Sequence, residues 1–532
     1  MNNSDDNLGY WCARAVRERA DAVAVVDLCR ETPREITYGA LDRRLDRVAT
    51  ALHAGGLQPG DRLALAIDNR IEFIEAMFGA MRAGVVPVPL NTRLGTDALA
   101  YIVADAAPRA AVIEPAGNEA IAAVCEHAGV GWRIALDTAP AGWDDYETVL
   151  AAAPATFAPP AFGPDHPAFL PYTSGSTGRP KGVVLTHGGQ MWWIRAVERY
   201  WPSDADDRAL VAVPLYHKNA MAGAIKPMLR AGGSVVMLPG FEPRRFLETL
   251  AGYRCTQAGG VPTVFALMLR ERDLIERLDF STLKALKIGS APVQPELVRA
   301  VEDAFGVPVG ESYGLTEGGP VMLGPPLDGR RVPRGSCGVP WAEGEVKLID
   351  GDGRENPRFG ELWVRNPGVT PGYYNLPEVN AKRLRDGWLA TGDLFSVDDG
   401  GFFYFRGRDD DAFKCGGETV YPKEVENLLL AHAQVADAAV APLPHPTKVQ
   451  APAAMVVLAP GATIDADALK RHCLARGPAY AHPRHVLIVD RLPLSGAAKV
   501  DRAALARGLA DAFPPQVAPP QAAPPQSAEV PS

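Results

Sequence analysis

The first part of the chain alternates short apolar runs with longer helical segments, and this alternation most restricts its fold. Between residues 62 and 90 the pattern reads RLALAI, then IEFIEAMFGAMRAG, then VVPVPL, and it returns at ALVAVPL (209–215), GSVVMLP (233–239) and LKALKIGSA (283–291). Strands that alternate with helices form parallel sheets covered by helices. We therefore predict a large α/β body that extends from about residue 36 to about residue 400.

A different pattern begins near residue 343. GEVKLIDGDG, GELWVRNPG and GGFFYFRGR are short strands separated by Gly, Asp and Asn, which predicts an antiparallel β section ending at Arg408. The next segments predict helix, strand, strand, helix and strand, typical of a small α+β domain. We expect a large domain over 1–408 and a small domain over 409–512. The last segment, 513–532, repeats PPQ and predicts a disordered tail or, alternatively, a Pro-rich ligand.

Composition favours an enzyme of the cytoplasm. A chain of 532 residues is too long for a single hydrophobic core of ordinary size, so we expect two or more domains. No apolar run approaches the ~18 residues that a membrane span needs. The seven cysteines never fall in a CxxC or CxxH spacing, so we expect reduced thiols rather than disulfides or structural zinc. The formal net charge of −9 gives no reason to expect a nucleic-acid partner.

The segment PYTSGSTGRPKGVVLTHGG, residues 171–189, places small and hydroxyl residues between two strand-like runs. Such a backbone suits polyphosphate, because Gly lets N–H groups approach oxygen atoms while Ser, Thr and Lys181 add donors and charge. The spacing is not that of a Walker A loop, since Lys181 follows a Pro and leads into a strand, and GxGxxG is absent. From composition alone, a solvent-exposed linker remains an equal alternative.

This segment resembles the phosphate-binding signature of the adenylate-forming (AMP-binding) enzymes, in particular the acyl- and aryl-CoA ligases. Further motifs of that family follow in its usual order: GSAP (289–292), SYGLTE (312–317), GELWVRNPGVTPGYYN (360–375), GWLATGD (387–393), GRDDDAFKCGGETVYPKEVE (407–426) and LPLSGAAKVDR (492–502). The resemblance implies a large ATP- and acid-binding domain followed by a small mobile C-terminal domain. It also implies that a carboxylate attacks ATP to give an acyl-adenylate and pyrophosphate, after which the CoA thiol displaces AMP.

The resemblance assigns roles to residues of these motifs. Thr173 to Lys181 would hold the β and γ phosphates, Glu317 would bind Mg²⁺, Tyr313 would stack on adenine, and Asp393 would bind the ribose. The full set expected to contact ATP or AMP is Thr173, Ser174, Gly175, Ser176, Thr177, Gly178, Lys181, Gly289, Ser290, Ala291, Ser312, Tyr313, Gly314, Thr316, Asp393, Arg408 and Lys499. Taken singly, Tyr313 is more typical of a core aromatic and Glu317 of a solvated helix end, and the matched motif reverses this preference.

Lys499 is the expected catalytic cation of the small domain, together with Thr173, Glu317 and His217 in the large one. The family usually has Gly before this lysine, whereas this chain has Ala498. The resemblance implies that the small domain rotates about a hinge at Asp410, bringing Lys499 to the nucleotide in one position. In the other position, Gly416 and Gly417 would line the channel for the CoA thiol.

The acid pocket is expected to contain His217, Lys218, Gly318, Gly319 and Pro320. The glycines leave room for a flat ring, as in hydroxycinnamate ligases, but would equally admit a medium or long fatty chain. Lys218 and Lys226 would either pair with a polar group of the acid or point to solvent.

The predicted enzyme is an acid–thiol ligase that uses ATP, Mg²⁺ and CoA. Its partners would be small molecules, with no nucleic acid and no membrane span, and a homodimer is left open. The main alternative is a stand-alone adenylation enzyme that passes the acyl group to a carrier protein. LYHKNAM (215–221) offers no acidic residue for the ammonium group of an amino acid, and the joint presence of Lys181, Glu317, Asp393 and Lys499 disfavours a non-catalytic nucleotide-binding scaffold.

Overall fold

The computed structural model describes residues 6–174, 179–289, 293, 295–319, 321–341, 343–416, 418–494 and 500–514. The chain divides into two compact units, Met1–Phe405 and Arg406–Ser532. The division falls inside the strand Phe403–Arg408, at whose end the sequence predicts the domain boundary.

A five-stranded parallel sheet forms the first part of the larger unit. Its strands lie in the order Val86–Pro89, Arg62–Ala66, Ala110–Ile113, Trp132–Ala135 and Asp144–Asp145. Its inner strands are continuous apolar runs because helices cover both faces of a parallel sheet. The predicted strand–helix–strand pattern of residues 62–90 is thus confirmed.

A seven-stranded sheet follows, and two of the nucleotide motifs begin at the ends of its strands, at Gly289 and at Ser312. Its order is Val309–Glu311, Ala285–Ile288, Gln257–Gly260, Arg208–Val211, Ser234–Met237, Val23–Asp27 and Arg34–Thr37. All neighbouring pairs are parallel except the last, which is an antiparallel edge. The strand Val23–Asp27 precedes the region in which the alternating pattern was recognised, and it pairs with Arg34–Thr37 nearby and with Ser234–Met237 far along the chain.

The predicted β section is an antiparallel sheet. Its path runs Glu345–Ile349, Phe359–Arg365, Trp388–Val397 and Leu384–Arg385, and Phe403–Arg408 also pairs with Trp388–Val397. Three two-stranded pieces complete the larger unit: Tyr172–Ser174 with Pro180–Gly182, Pro167–Phe169 with Leu185–Thr186, and Leu323–Gly324 with Val339–Pro340.

The helices of the larger unit pack on these sheets. Several begin at a side-chain cap, as at Thr186, whose hydroxyl accepts a hydrogen bond from the Gly189 amide. The helices are Leu8–Tyr10 (3₁₀), Ala13–Glu18, Tyr38–Ala54, Ile71–Arg82, Thr96–Ala106, Glu119–His127, Tyr146–Ala152, His187–Tyr200, Lys218–Ala220, Met221–Ile225 (π), Lys226–Ala231, Pro243–Gly252, Pro262–Met268, Arg272–Arg277, Pro295–Phe305 and Pro377–Arg383.

The smaller unit contains the predicted α+β domain. Its sheet follows the order Glu418–Val420, Phe413–Cys415, Val449–Leu458 and Val435–His445, with His485–Ile488 parallel to Val449–Leu458. The helices Pro422–Leu430, Ala466–Arg476 and Arg502–Ala512 pack against it, and a short 3₁₀ turn spans Asp409–Asp411. The fold class predicted from the sequence is therefore confirmed in both units.

The cysteines and the helices agree with the expectations from composition. All seven cysteines are free thiols, and burial raises the pKa of the Cys12 thiol to about 12. Within the described part of the chain, no helix is long and apolar enough to cross a membrane.

Candidate active site

The predicted phosphate loop begins and ends in a β-hairpin. Tyr172–Ser174 pairs antiparallel with Pro180–Gly182, and the register places Thr173 directly opposite Lys181. Directly opposed residues place their side chains on the same face of an antiparallel pair. The tip residues Gly175, Ser176, Thr177 and Gly178 lie outside the described residues.

Glu317 contacts residues of two other motifs. Its Oε1 accepts hydrogen bonds from Thr173 Oγ1 at 3.5 Å and from the Tyr373 hydroxyl at 3.2 Å. The Lys181 Nζ lies 5.9 Å from the centre of the Tyr373 ring. The fold thereby gathers a cation, a carboxylate and two hydroxyls from separate motifs into one polar cluster.

Tyr373 was missed by the sequence reasoning, although it lies inside the quoted motif that ends PGYYN. Its ring is only 5% exposed, and its hydroxyl is directed at the expected magnesium ligand. Flanked by Gly372 and Tyr374, Tyr373 gives no sequence signal of its contact with Glu317, which only the three-dimensional structure shows.

Tyr313 and Asp393 form a second linked pair. The Tyr313 hydroxyl donates to Asp393 Oδ2 at 2.5 Å, and the Tyr313 ring meets Phe395 edge-on at a centroid distance of 4.7 Å. The Asp393 side chain is 7% exposed, and its backbone amide donates to Thr391 Oγ1. The structure therefore brings together the two residues expected to bind adenine and ribose.

Gly289 and Ser312 lie at the carboxyl edge of the seven-stranded sheet. Gly289 follows the strand Ala285–Ile288 and Ser312 follows its neighbour Val309–Glu311, so the two are adjacent. A Cβ at Gly289 would lie 3.8 Å from the Ser312 carbonyl oxygen and hydroxyl. Open α/β sheets bind ligands at this edge. The neighbouring Ser290 and Ala291 lie outside the described residues.

Lys218 links the expected acid pocket to the nucleotide motif. Its Nζ donates to the main-chain carbonyl oxygen of Thr316 at 2.5 Å, with the Leu315 carbonyl at 3.5 Å. Burial lowers the pKa of the Lys218 ammonium to about 7, although the Glu317 carboxylate opposes this shift. The neighbouring His217 precedes the helix Lys218–Ala220, and its ring lies against Tyr216.

The two glycines expected at the pocket floor are also required by packing. Gly319 has φ +82°, and a Cβ there would lie 3.3 Å from Asn366 Oδ1 and 3.4 Å from the Trp192 ring. A Cβ at Gly318 would lie 2.5 Å from Met322 Sδ. Local packing therefore explains both glycines independently of any ligand. The next residue, Pro320, lies outside the described part of the chain.

The smaller unit contains the remaining predicted residues. Arg408 ends the strand Phe403–Arg408, and Asp410 lies in the 3₁₀ turn Asp409–Asp411. Gly416 has φ +62° in the hairpin that follows Phe413–Cys415, a conformation that suits glycine. Gly417 and Lys499 lie outside the described residues, so the roles expected of them stay predictions.

The sequence profile described as "AMP-binding enzyme" matches residues 12–374, and its C-terminal domain profile matches residues 424–499. The chain belongs to this family. It is 37% identical over 510 residues to feruloyl-CoA synthase of Amycolatopsis sp, covering 94% of this chain and 99% of that protein. It is 32% identical over 472 residues to indoleacetate–CoA ligase of Aromatoleum aromaticum, covering 88% and 92%.

Two solved structures have the same fold as this chain. The anthranilate CoA ligase AuaEII in complex with anthranoyl-AMP superposes with a TM-score of 0.86 at 25% identity, covering 96% of this chain and 99% of that one. ATP-bound MatB from Rhodopseudomonas palustris gives 0.85 at 31% identity, covering 95% and 99%. The family, fold class and enzyme class predicted from the sequence are therefore confirmed.

Proposed function

We propose that this enzyme joins an aromatic carboxylic acid of the hydroxycinnamate type to CoA through an acyl-adenylate. The similarity to feruloyl-CoA synthase over 94% of the chain is the observation that carries the substrate class. A 4-coumarate–CoA ligase of Pinus taeda, 31% identical over 516 residues, gives further support. A fatty acid remains the other substrate class compatible with the pocket glycines.

In the first half-reaction, the acid carboxylate attacks the α-phosphorus of ATP, and pyrophosphate leaves as the acyl-adenylate forms. Negative charge increases on the phosphate oxygens during this step, and enzymes stabilise it with prearranged cations and donors. Lys181 and the Thr173 hydroxyl, opposed across the hairpin, would hold the β and γ phosphates. Lys499 would approach the α-phosphate and the acid carboxylate.

The residues around Glu317 suit Mg²⁺. Its carboxylate offers hard oxygen atoms, and Mg²⁺ commonly uses one or two carboxylates together with water and substrate phosphates. Among the described residues there is no cluster of three or more His, Cys, Asp or Glu that would form an all-protein cage. Thr173 and Tyr373 orient the Glu317 carboxylate through their hydroxyls. Bound there, the ion would neutralise phosphate charge.

The nucleoside would lie between Gly289, Ser312 and the Tyr313–Asp393 pair. In this arrangement, the Tyr313 ring packs on adenine while Asp393 accepts hydrogen bonds from the ribose hydroxyls. The Tyr313 hydroxyl fixes the Asp393 carboxylate, so that it is oriented before ATP arrives.

CoA would approach from the side of Tyr216. A polar cavity of about 230 Å³ lies there, lined by residues that include Asp68, Thr92, Arg93, Asn118 and Tyr216. The Tyr216 hydroxyl is buried without a hydrogen-bond partner in the described structure, and its ring contacts His217. Arg93, which lines this cavity, would pair with a CoA phosphate.

The test is a panel of aryl, fatty and dicarboxylic acids incubated with ATP and Mg²⁺, with and without CoA. We expect pyrophosphate release that depends on the acid, and thioester and AMP only when CoA is present. Aromatic acids should give the highest kcat/KM. Preference for long fatty acids would refute the substrate class, and no acid-dependent pyrophosphate release would refute the function.

Transfer to a carrier protein is the second candidate. A fatty acid–[acyl-carrier-protein] ligase of Streptomyces coeruleorubidus is 32% identical over 504 residues, covering 90% of this chain. Replacing CoA by a phosphopantetheinylated carrier protein in the same assay distinguishes the two. Cell fractionation tests the predicted cytoplasmic location, and light scattering tests whether the protein is a homodimer, which the sequence leaves open.

A further inference from the structure

Lys218 and Lys226 lie on one face of a continuous helical run that contains a π turn. The run passes from Lys218–Ala220 through the π segment Met221–Ile225 into Lys226–Ala231. A π turn adds one residue to a turn of the helix, so the eight positions from Lys218 to Lys226 rotate the chain about as far as seven α-helical residues do. Seven residues at about 100° each fall about 20° short of two full turns. Without the π turn, the offset would be about 80°. Lys226 therefore lies on the face of Lys218, roughly 11 Å further along the helix.

Lys226 is a fully buried amine that has one polar partner among the described residues. Its side chain is 1% exposed, and its Nζ donates to Gln190 Oε1 at 2.7 Å. The Nζ also lies over the rings of Trp193 and Phe169, at 5.2 and 5.6 Å from their centres. No carboxylate pairs with it in the described part of the chain. Burial and the charge of Lys218 lower the pKa of Lys226 well below its ordinary value.

The groups around Lys226 are hydrogen-bond donors that have no acceptor. Gln190 Nε2 and Trp193 Nε1 are both buried without a partner within the described structure. The Lys226 nitrogen can form further hydrogen bonds in addition to the one that it donates to Gln190. Each buried unsatisfied donor destabilises a protein by about 1–3 kcal/mol, so such a group in a native protein calls for an acceptor.

We propose that Lys226, Gln190 and Trp193 form a donor cluster that binds the ring oxygen of the aromatic acid, at the end remote from its carboxylate. This rests on the proposed function. The carboxylate lies at the His217 and Lys218 end of the helix, and the separation of the two lysines corresponds to an elongated acid such as a hydroxycinnamate. Pockets for such ligands are mostly apolar with a few placed polar groups. Here the rings of Phe169 and Trp193 would supply the apolar surface.

A neutral ring oxygen fits this cluster better than a second carboxylate. Burying a carboxylate removes a full charge from water, which is strongly unfavourable unless a cation compensates it. The lowered pKa favours the uncharged amine of Lys226 in the free protein. The cluster therefore selects acids that carry a hydroxyl or ether oxygen on the ring over unsubstituted ones.

The experiment compares kcat/KM for 4-hydroxycinnamate and cinnamate in the wild type and in Lys226→Met. Methionine matches the length of the lysine stem and contributes no donor. We expect the wild type to prefer 4-hydroxycinnamate and the variant to lose about 10- to 100-fold of that preference. The value for cinnamate should stay within about threefold of the wild type, because cinnamate makes no bond to the cluster.

Lys287→Met is the matched control. Lys287 also lies over a tryptophan, with its Nζ 5.1 Å from the centre of the Trp201 ring, and burial lowers its pKa to about 8. It is not part of the donor cluster, so this variant should keep the preference of the wild type. Gln190→Leu, a second variant of the cluster, should also reduce the preference and serves if Lys226→Met does not fold.

Each outcome decides the proposal. Equal loss with both acids, an unchanged ratio in both cluster variants, or a wild type without preference would overturn the donor cluster and leave the proposed function standing. Absence of pyrophosphate release with every acid of the panel would instead overturn the proposed function, and this inference with it.

Discussion

Replacing Tyr313 by Phe tests whether the nucleoside site depends on a preoriented carboxylate. The change removes only the hydroxyl that donates to Asp393 Oδ2 at 2.5 Å and keeps the edge-on packing on Phe395. A hydrogen bond to a charged group contributes about 1.5–3 kcal/mol. Since about 1.4 kcal/mol corresponds to a factor of ten, we expect the KM for ATP to rise about 10- to 100-fold.

The lower part of that range is expected, because the ribose hydroxyls themselves supply donors to Asp393 once ATP is bound. The value of kcat at saturating ATP should change much less, since the hydroxyl is remote from the α-phosphorus in the proposed arrangement. The assay is acid-dependent pyrophosphate release at varied ATP, accompanied by thermal unfolding of the free protein.

Tyr404→Phe is the control for this variant. It removes the same kind of bond, from the Tyr404 hydroxyl to Asp398 Oδ2 at 2.9 Å, outside the nucleotide motifs. It should leave the KM for ATP unchanged. If Tyr313→Phe changed the KM for ATP by less than twofold while remaining folded, the reasoning about Asp393 would be refuted. A rise confined to the KM for the acid would contradict it as well.

Four further predictions follow from the described contacts and from the sequence. Glu317→Gln keeps acceptors for Thr173 and Tyr373 but removes the charge, so pyrophosphate release should fall at least about 100-fold, with little change in thermal unfolding; full activity would exclude the assigned role. The pKa of the Lys218 ammonium is about 7 in the folded protein and 10.5 in an exposed lysine. Between these two pH values the unfolded chain binds more protons than the folded protein, so the free energy of unfolding rises with pH. Urea unfolding at pH 7 and pH 9 should therefore show a gain of up to about 2 kcal/mol in the wild type that Lys218→Met lacks. Gly319→Ala should lower the free energy of unfolding by about 1–3 kcal/mol, more than Gly329→Ala, since both positions have positive φ but only Gly319 has neighbours within 4 Å. Lys499→Ala should reduce adenylation but spare thioester formation from a supplied acyl-adenylate, and equal loss of both would contradict its role.

The sequence predicted those parts of the fold that are encoded locally. The strand–helix pattern of residues 62–90 and the order helix, strand, strand, helix, strand in the small domain were both predicted correctly. The strand Val23–Asp27 was missed; it pairs with Arg34–Thr37 nearby and with Ser234–Met237, which is more than 200 positions away. Long-range pairing leaves no trace in local periodicity, which explains this difference.

The candidate site was predictable as a set of motifs but not as a set of contacts. Tyr313 was expected to stack on adenine, and nothing in its neighbourhood indicates the bond to Asp393, 80 positions away. Lys218 was expected either to meet the acid or to point to solvent, whereas its ammonium is bonded to backbone oxygens of the nucleotide motif. The donors proposed at Gln190 and Trp193 were not expected from the sequence, because a helix rich in large side chains is typical of a core.

The bond from Lys218 to the Thr316 carbonyl would make the two proposed substrate sites thermodynamically interdependent. One end of this bond lies on the helix expected to contact the acid, and the other belongs to the backbone that precedes Glu317. Any acid that displaces the helix must alter the affinity for ATP, and ATP must alter the affinity for that acid by the same factor. Acids of different length would thus be distinguished partly by how well they let the nucleotide bind.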